Sequence, residues 1–244
     1  MAPPVPRPRR AIKVAESVAR EIVRDAATLE PGSTLPGEVA MREQYGVSRG
    51  SLREALRILE AQGLITIKPG PGGGPVLASA NPESLARMQS LHFHLMGARH
   101  VDLLAARVCL EPQLVRMAAE REIREPLEVL RDFMPSGAFA ELTDSDFLDK
   151  SKSFHAIVCS LSGNPVLDML AQSLQHIVHY RLRSAIFGPD IRDHTIIEHG
   201  DIAAAILDGN GPKAELLMSD HMQRLSDGVT IADAVALDEI VDWA

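Results

Sequence analysis

The chain has 244 residues, which allows one large domain or two ordinary ones, and its 45% apolar and 24% charged residues suit a packed globular protein. No apolar run approaches the roughly 18 residues of a membrane span, and the opening residues 1–10, rich in proline and arginine, lack the apolar core of a secretory signal. The net charge of −8 argues against DNA as a partner only until it is divided: residues 1–80 hold 11 Lys and Arg against 8 Asp and Glu, net +3, and the rest hold 14 against 25, net −11. A mildly basic N-terminal third on an acidic body fits a nucleic-acid-binding module joined to something else.

Residues 1–10 read as a disordered basic arm. From there Ile12, Val14, Ala15, Val18, Ala19, Ile22, Val23 and Ala26 make a helical apolar stripe, which Pro31-Gly32 ends. Leu35-Pro36-Gly37-Glu38 opens a second helix, with Gly37 as N-cap and Glu38 favoured by the helix dipole. It runs to about Tyr45, where Gly46 turns the chain. Ser48 then caps a third helix. Its apolar face is Leu52, Ala55, Leu56 and Leu59; Arg49, Arg53 and Arg57, four residues apart, form a separate cationic face. Gly63 sits where a C-terminal cap residue belongs.

The β-rich Leu64–Lys68, the tip Pro69–Pro75 with its glycines, and the extended Val76-Leu77 then make a hairpin wing. The pattern over residues 11–78 predicts a winged helix-turn-helix of three helices and a small β-hairpin. The third helix suits the major groove, since an arginine fork can donate two hydrogen bonds to guanine. The bare backbone at Gly72 and Gly73 can approach a phosphate closely. The candidate DNA-binding residues are Ser48, Arg49, Ser51, Arg53, Arg57, Lys68, Gly72 and Gly73. The plainer alternative is an amphipathic surface helix with solvated arginines.

Leu35-Pro36-Gly37-Glu38, Gly46-Val47-Ser48-Arg49, Leu52-Arg53-Glu54-Ala55-Leu56, Leu59-Glu60 and Gly63-Leu64 resemble the signature of GntR-family bacterial transcription regulators. By that resemblance Arg49 and Arg53 match base-contacting arginines, and Ser48 and Ser51 match polar positions near phosphates. The position after Glu38 is Val39, where the family commonly carries a further DNA-contacting arginine.

Residues 79–83 read as a linker and 237–244 as a C-terminal tail. Between them, over 84–236, helical stripes follow one another at about 83–96, 101–122, 125–134, 138–161, 165–186, 193–207 and 212–236, with breaks at Gly163-Asn164-Pro165 and Asp208–Pro212. The expectation is mainly α: the winged helix-turn-helix, then an all-α bundle. Cys109 and Cys159 lack metal or redox spacing and read as buried small hydrophobes. His155, His199 and His221 lie on three predicted helices. Imidazoles from facing helices can hold a borderline divalent metal such as zinc, nickel or iron, although nine histidines will place three on separate helices by chance as well.

Arg107-x3-Glu111, Phe154-His155, Ser162-Gly163-Asn164, Glu198-His199 and Asp220-His221 resemble the helical effector domain of the FadR subfamily, the FCD domain. The resemblance implies His155, His199 and His221 as metal ligands beside a small carboxylate or acyl effector. It also implies an aspartate four residues before His155, where this chain has Ser151; Asp149 is turned away from that face. Three histidines completed by water or by the effector, and a pocket that binds its effector without metal, both stay open. The candidate effector-binding residues are Arg107, Ser151, His155, His199 and His221; Arg107 reads equally as half of an intrahelical pair with Glu111. His176, His179, Arg181 and Arg183 read as a solvated or dimer-facing basic cluster, with contact of some of them to an anionic ligand as the alternative.

The functional expectation is a cytoplasmic, homodimeric, ligand-responsive regulator, not an enzyme. It would bind a pseudo-palindromic double-stranded DNA operator, with repression relieved by ligand. No membrane partner is expected. The alternative is a metal-dependent hydrolase using the three histidines, against which stands the absence of a positioned base, nucleophile or phosphate loop.

Overall fold

The computed structural model describes residues 8–70, 72–79, 81–122, 125–134, 143–182, 189–232 and 238–243. They form two compact units, the first ending at Ser84 and the second beginning at Leu85.

The first unit contains α1 (Pro8–Ala26), α2 (Glu38–Tyr45), α3 (Arg49–Ala61), β1 (Ile65–Lys68) and β2 (Gly74–Leu77). The helical stripe of α1 is buried at Ala15, Val18, Ala19, Ile22 and Ala26. It packs with Met41 of α2, Leu52, Ala55 and Leu59 of α3, and Ile65 of β1. Helix α1 starts at Pro8, so residues 8–10, read as arm, are helical; proline suits a first helical turn, where its missing N–H has no acceptor to lose.

Gly46 makes the turn between α2 and α3 in the left-handed region at φ 61°, which lets Val47 N–H reach Arg42 O at 3.2 Å. Ser48 caps α3 by accepting Ser51 N–H on Oγ at 3.2 Å. β1 and β2 pair antiparallel from Ile65↔Leu77 to Lys68↔Gly74. A bridge Thr34↔Val76, with Leu35 N–H to Pro75 O at 2.8 Å, adds a short third edge that the sequence did not announce.

The second unit contains α4 (Pro82–Met96), whose first residues belong to the first unit, α5 (His100–Ala119), a 3₁₀ segment (Glu125–Phe133), α6 (Asp144–Leu161), α7 (Pro165–Leu182), α8 (Pro189–Leu207) and α9 (Gly211–Ala232). Helix α5 packs against α6, α7, α8 and α9. The largest core cluster joins Val115 and Ala118 of α5, Phe154 and Val158 of α6, Ile202 and Ile206 of α8, and Met218 and Met222 of α9.

Some element expectations need correction. The stretch 125–134, expected as an ordinary helix, is 3₁₀ over Glu125–Phe133. Its buried residues Leu127, Leu130 and Phe133 stand three apart, the spacing that three residues per turn brings to one face. Helix α8 starts at Pro189, ahead of the expected 193, again with proline at the first helical position. Helix α4 starts inside the stretch read as linker. Cys109 is exposed on α5, not buried; Cys159 is buried, and burial pushes its thiol well up. The expected helical stretches 138–142, 183–186 and 233–236 lie outside the described residues.

Candidate functional site

In the first unit, α3 presents Arg49 and Arg53 with side chains 62% and 55% exposed. Both face one carboxylate. Arg49 Nε lies 2.6 Å from Glu38 Oε1, and Arg53 Nε lies 3.2 Å from Glu38 Oε2. Partial burial works against ionisation of Glu38, but the Arg53 hydrogen bond and the two guanidinium charges outweigh it and hold the carboxyl below its ordinary range. Arg57 is more exposed and pairs loosely with Glu54 at 3.7 Å. Ser51 Oγ lies 3.0 Å from Ser48 Oγ, so both hydroxyls sit in the first turn of α3.

Lys68 closes β1 opposite Gly74, and Gly72 lies in the left-handed region at φ 78°. Gly73 can only be glycine, because an added Cβ would fall 2.2 Å from Lys68 O. Val39 is 67% exposed at the start of α2.

In the second unit the predicted histidines meet. His155 on α6, His199 on α8 and His221 on α9 are all buried, with candidate ligand atoms within 4.8 Å of one another. His221 Nε2 lies 3.2 Å from His199 Nε2 and 3.3 Å from His155 Nε2. Phe154, next to His155 on α6, stacks on His199 with centroids 4.0 Å apart and fixes the ring plane.

A buried acid and a half-buried one hold the outer edges of two of the rings. His155 Nδ1 is 2.5 Å from Glu111 Oε2, and His221 Nδ1 is 2.6 Å from Glu198 Oε2. An ionised carboxylate can only accept, so each Nδ1 carries a proton and donates it to its acid, and each ring turns Nε2 inward. Two imidazole Nε2 atoms 3.3 Å apart in a buried site call for a cation or a proton between them.

Burial would raise the Glu111 carboxyl, but Arg107 and His155 beside it hold it at about 2. Arg107 Nε donates to Glu111 Oε1 at 2.6 Å, and both side chains are nearly inaccessible, 4% and 1% exposed. Burial lowers His155, with Glu111 opposing, and burial lowers His199 well below its ordinary value, reinforced by the other two histidines. Burial likewise works against ionisation of Glu198, but hydrogen bonds from His221 and Arg224 hold it down.

A cavity of about 50 Å³ opens on this cluster. Arg107, Ser151, Lys152, His155, Gln175, His179, Thr195 and His221 line it, over an apolar side of Phe147, Leu148 and Leu225. Ser151 stands one turn before His155 on the same face of α6, as its spacing requires. Arg107 thus does both things expected of it: it lines the cavity and it pairs with Glu111. His179, expected on a solvated or dimer-facing surface, also lines the cavity and is 14% exposed. It reaches inward because Gln175, one turn earlier on the same side of α7, is itself buried. Asp149 is 71% exposed and lies 3.7 Å from His179, not among the three histidines. The Arg181 side chain and Arg183 lie outside what is described.

Comparison with known proteins follows the same division. Residues 11–73 match the bacterial regulatory proteins of the gntR family, and residues 102–224 match the FCD domain. The HTH-type transcriptional regulator YcbG of Bacillus subtilis is 31% identical over 218 residues, covering 88% of this chain and 90% of its own. The chain belongs to the GntR family and carries an FCD domain.

The HTH-type transcriptional repressor NanR of Cronobacter sakazakii is 28% identical, covering 81% of this chain and 75% of its own. The solved structure of Streptococcus agalactiae GntR shares the fold, with a TM-score of 0.70 at 21% identity over 88% of this chain and 99% of that one. A GntR/FCD protein is a ligand-responsive DNA-binding transcription regulator and not an enzyme; nothing among these relatives points to the hydrolase alternative. No helix among the described residues is long and apolar enough to cross a membrane.

Within this GntR/FCD frame, sequence reasoning missed the roles of Glu38, Glu198, Lys152, Gln175 and Thr195. Glu198 was visible only as part of Glu198-His199. Its partner is a histidine on another helix, which spacing along the chain does not reveal.

Proposed function

We propose that the protein is a cytoplasmic homodimer that represses transcription from a pseudo-palindromic operator, and that a small carboxylate bound beside a divalent metal in the FCD cavity weakens its grip on DNA. One observation carries the effector half: three buried imidazoles turn Nε2 inward, two of them with their Nδ1 protons committed to Glu111 and Glu198. Two of the three separations, 3.2 and 3.3 Å, match the spacing of nitrogens that share one zinc-sized ion, and all three candidate ligand atoms lie within 4.8 Å of one another. Carboxylates that orient metal-bound histidines are the usual outer support of such sites.

Zinc, nickel and iron suit the all-imidazole set. When bound, the ion supplies a Lewis-acid centre for an oxygen ligand. His155, His199 and His221 would hold it, and with Ser151, a neutral hydroxyl, in place of a carboxylate, a position would remain for the effector. The acids nearby are already matched, Glu111 by Arg107 and Glu198 by Arg224. A divalent ion therefore adds positive charge to a cavity that also presents Lys152, with His179 facing Asp149 at 3.7 Å, and an anion answers it. About 50 Å³ admits a handful of water-sized groups, at roughly 10–15 Å³ each, which favours a short acid over a long acyl chain.

Self-association is supported by Met88, Leu91, Leu95 and Met96 on α4, which are 46%, 39%, 76% and 77% exposed. On the DNA side, Arg49 and Arg53 read base edges, Ser48 and Ser51 meet phosphates, and Arg57, Lys68, Gly72 and Gly73 follow the backbone.

The test is fluorescence anisotropy of a duplex selected by the protein from random-sequence DNA, titrated with short mono-, di- and hydroxycarboxylates in zinc-containing buffer. A matching acid should weaken binding about 5- to 150-fold, and His199→Ala should abolish the response. Operator binding indifferent to every short acid, yet released by long acyl ligands, would contradict the reading.

A further inference from the structure

We propose that Glu38 is a positioning residue for base recognition: its carboxylate ties Arg49 and Arg53 together, one oxygen to each Nε, and so favours the operator over unrelated DNA. The inference rests on the reading that these two arginines contact bases. The two arginines stand one turn apart at the start of α3, and Glu38 opens the neighbouring helix α2. The carboxylate spans them with separations of 2.6 and 3.2 Å.

Pairing through Nε engages one of the five N–H donors of each guanidinium. The outer Nη1–Nη2 edge, the fork that can take guanine O6 and N7, stays available. An arginine already held in place loses less rotamer freedom when it meets a base, so the specific complex gains. The same anchor acts in the opposite direction on unrelated DNA. There an arginine binds by swinging to the nearest phosphate, and a carboxylate between the two side chains restrains that swing and repels the phosphate. Glu38 thus separates the two binding modes, although it need not touch the DNA.

The experiment measures affinities of the full-length protein, Glu38→Ala and Glu38→Gln for a duplex selected from random DNA and for an unrelated duplex of equal length, alongside Arg49→Ala and Arg53→Ala. Thermal melts establish that each variant folds. Both Glu38 variants should bind the selected duplex roughly tenfold more weakly and the unrelated duplex about two- to fivefold more tightly. A rise in both affinities would reduce Glu38 to simple repulsion of DNA, and an unchanged ratio would remove its role altogether. Unfolding of both variants would make it a structural brace; each of these three results overturns the proposal. If instead Arg49→Ala and Arg53→Ala leave the selected duplex bound as before, the base-reading assignment itself fails, independently of Glu38.

Discussion

The two halves of the molecule use the same chemical pair in opposite surroundings. In the DNA-binding unit, Glu38 meets Arg49 and Arg53 with 33%, 62% and 55% of their side chains exposed. In the FCD unit, Glu111 meets Arg107 with 1% and 4% exposed. Exposed pairs add little to stability, because water already solvates both partners well. Such a pair can hold each Nε while the outer guanidinium edges stay open to DNA, which suits a surface that must bind and let go. The buried pair cannot be broken without leaving a charge in a medium of low polarity. It fixes the carboxylate that in turn orients His155. The difference teaches that an arginine–carboxylate spacing in a sequence has no fixed meaning until burial is known.

The sharpest way to break the comparison is to remove the buried acid. Glu111→Gln leaves Arg107 without its anion and should cost about 3–5 kcal/mol of stability in denaturant unfolding.

Acid should expose the same term in the metal-free protein. His155 and His199 are lowered on folding, so the unfolded chain takes up protons that the folded one refuses, and stability begins to fall below pH 6.5. The lowered Glu111 adds a second loss between about pH 4.5 and 2, and Glu111→Gln should lack that stage. Equal acid sensitivity of variant and wild type below pH 4.5 would contradict this assignment.

A smaller effect, in binding and not in stability, is expected on the exposed side. Arg53→Ala should weaken the selected duplex by roughly 1–3 kcal/mol and leave the melting temperature nearly unchanged. If that variant melts much earlier, its pair with Glu38 is structural and the contrast between the two units collapses.

Much of this was legible in the sequence. The 3.6-residue periodicity of α1 and α3, Gly46, and the Ser48 cap are local signals, and local chemistry decided them. The three histidines were legible as residues on separate helices, but their convergence depends on how α6, α8 and α9 pack. The same limit hid Glu38 and Glu198, whose partners lie across helices. Ser151 was readable as a hydroxyl one turn from His155, whereas for His179 the choice between a solvated face and a ligand-facing one could be made only once α7 was packed. The third edge of the wing at Thr34 escaped because a single bridge leaves no periodic trace.

The most direct test of the account is the metal content of protein purified without chelator and without a histidine tag, measured by elemental analysis beside a His199→Ala control. The account predicts close to one divalent ion per chain in the wild type and loss of that ion in the variant. Wild-type protein that holds no metal even after equilibration with zinc or nickel would contradict it, and would leave the inward-facing imidazoles to be satisfied by a shared proton.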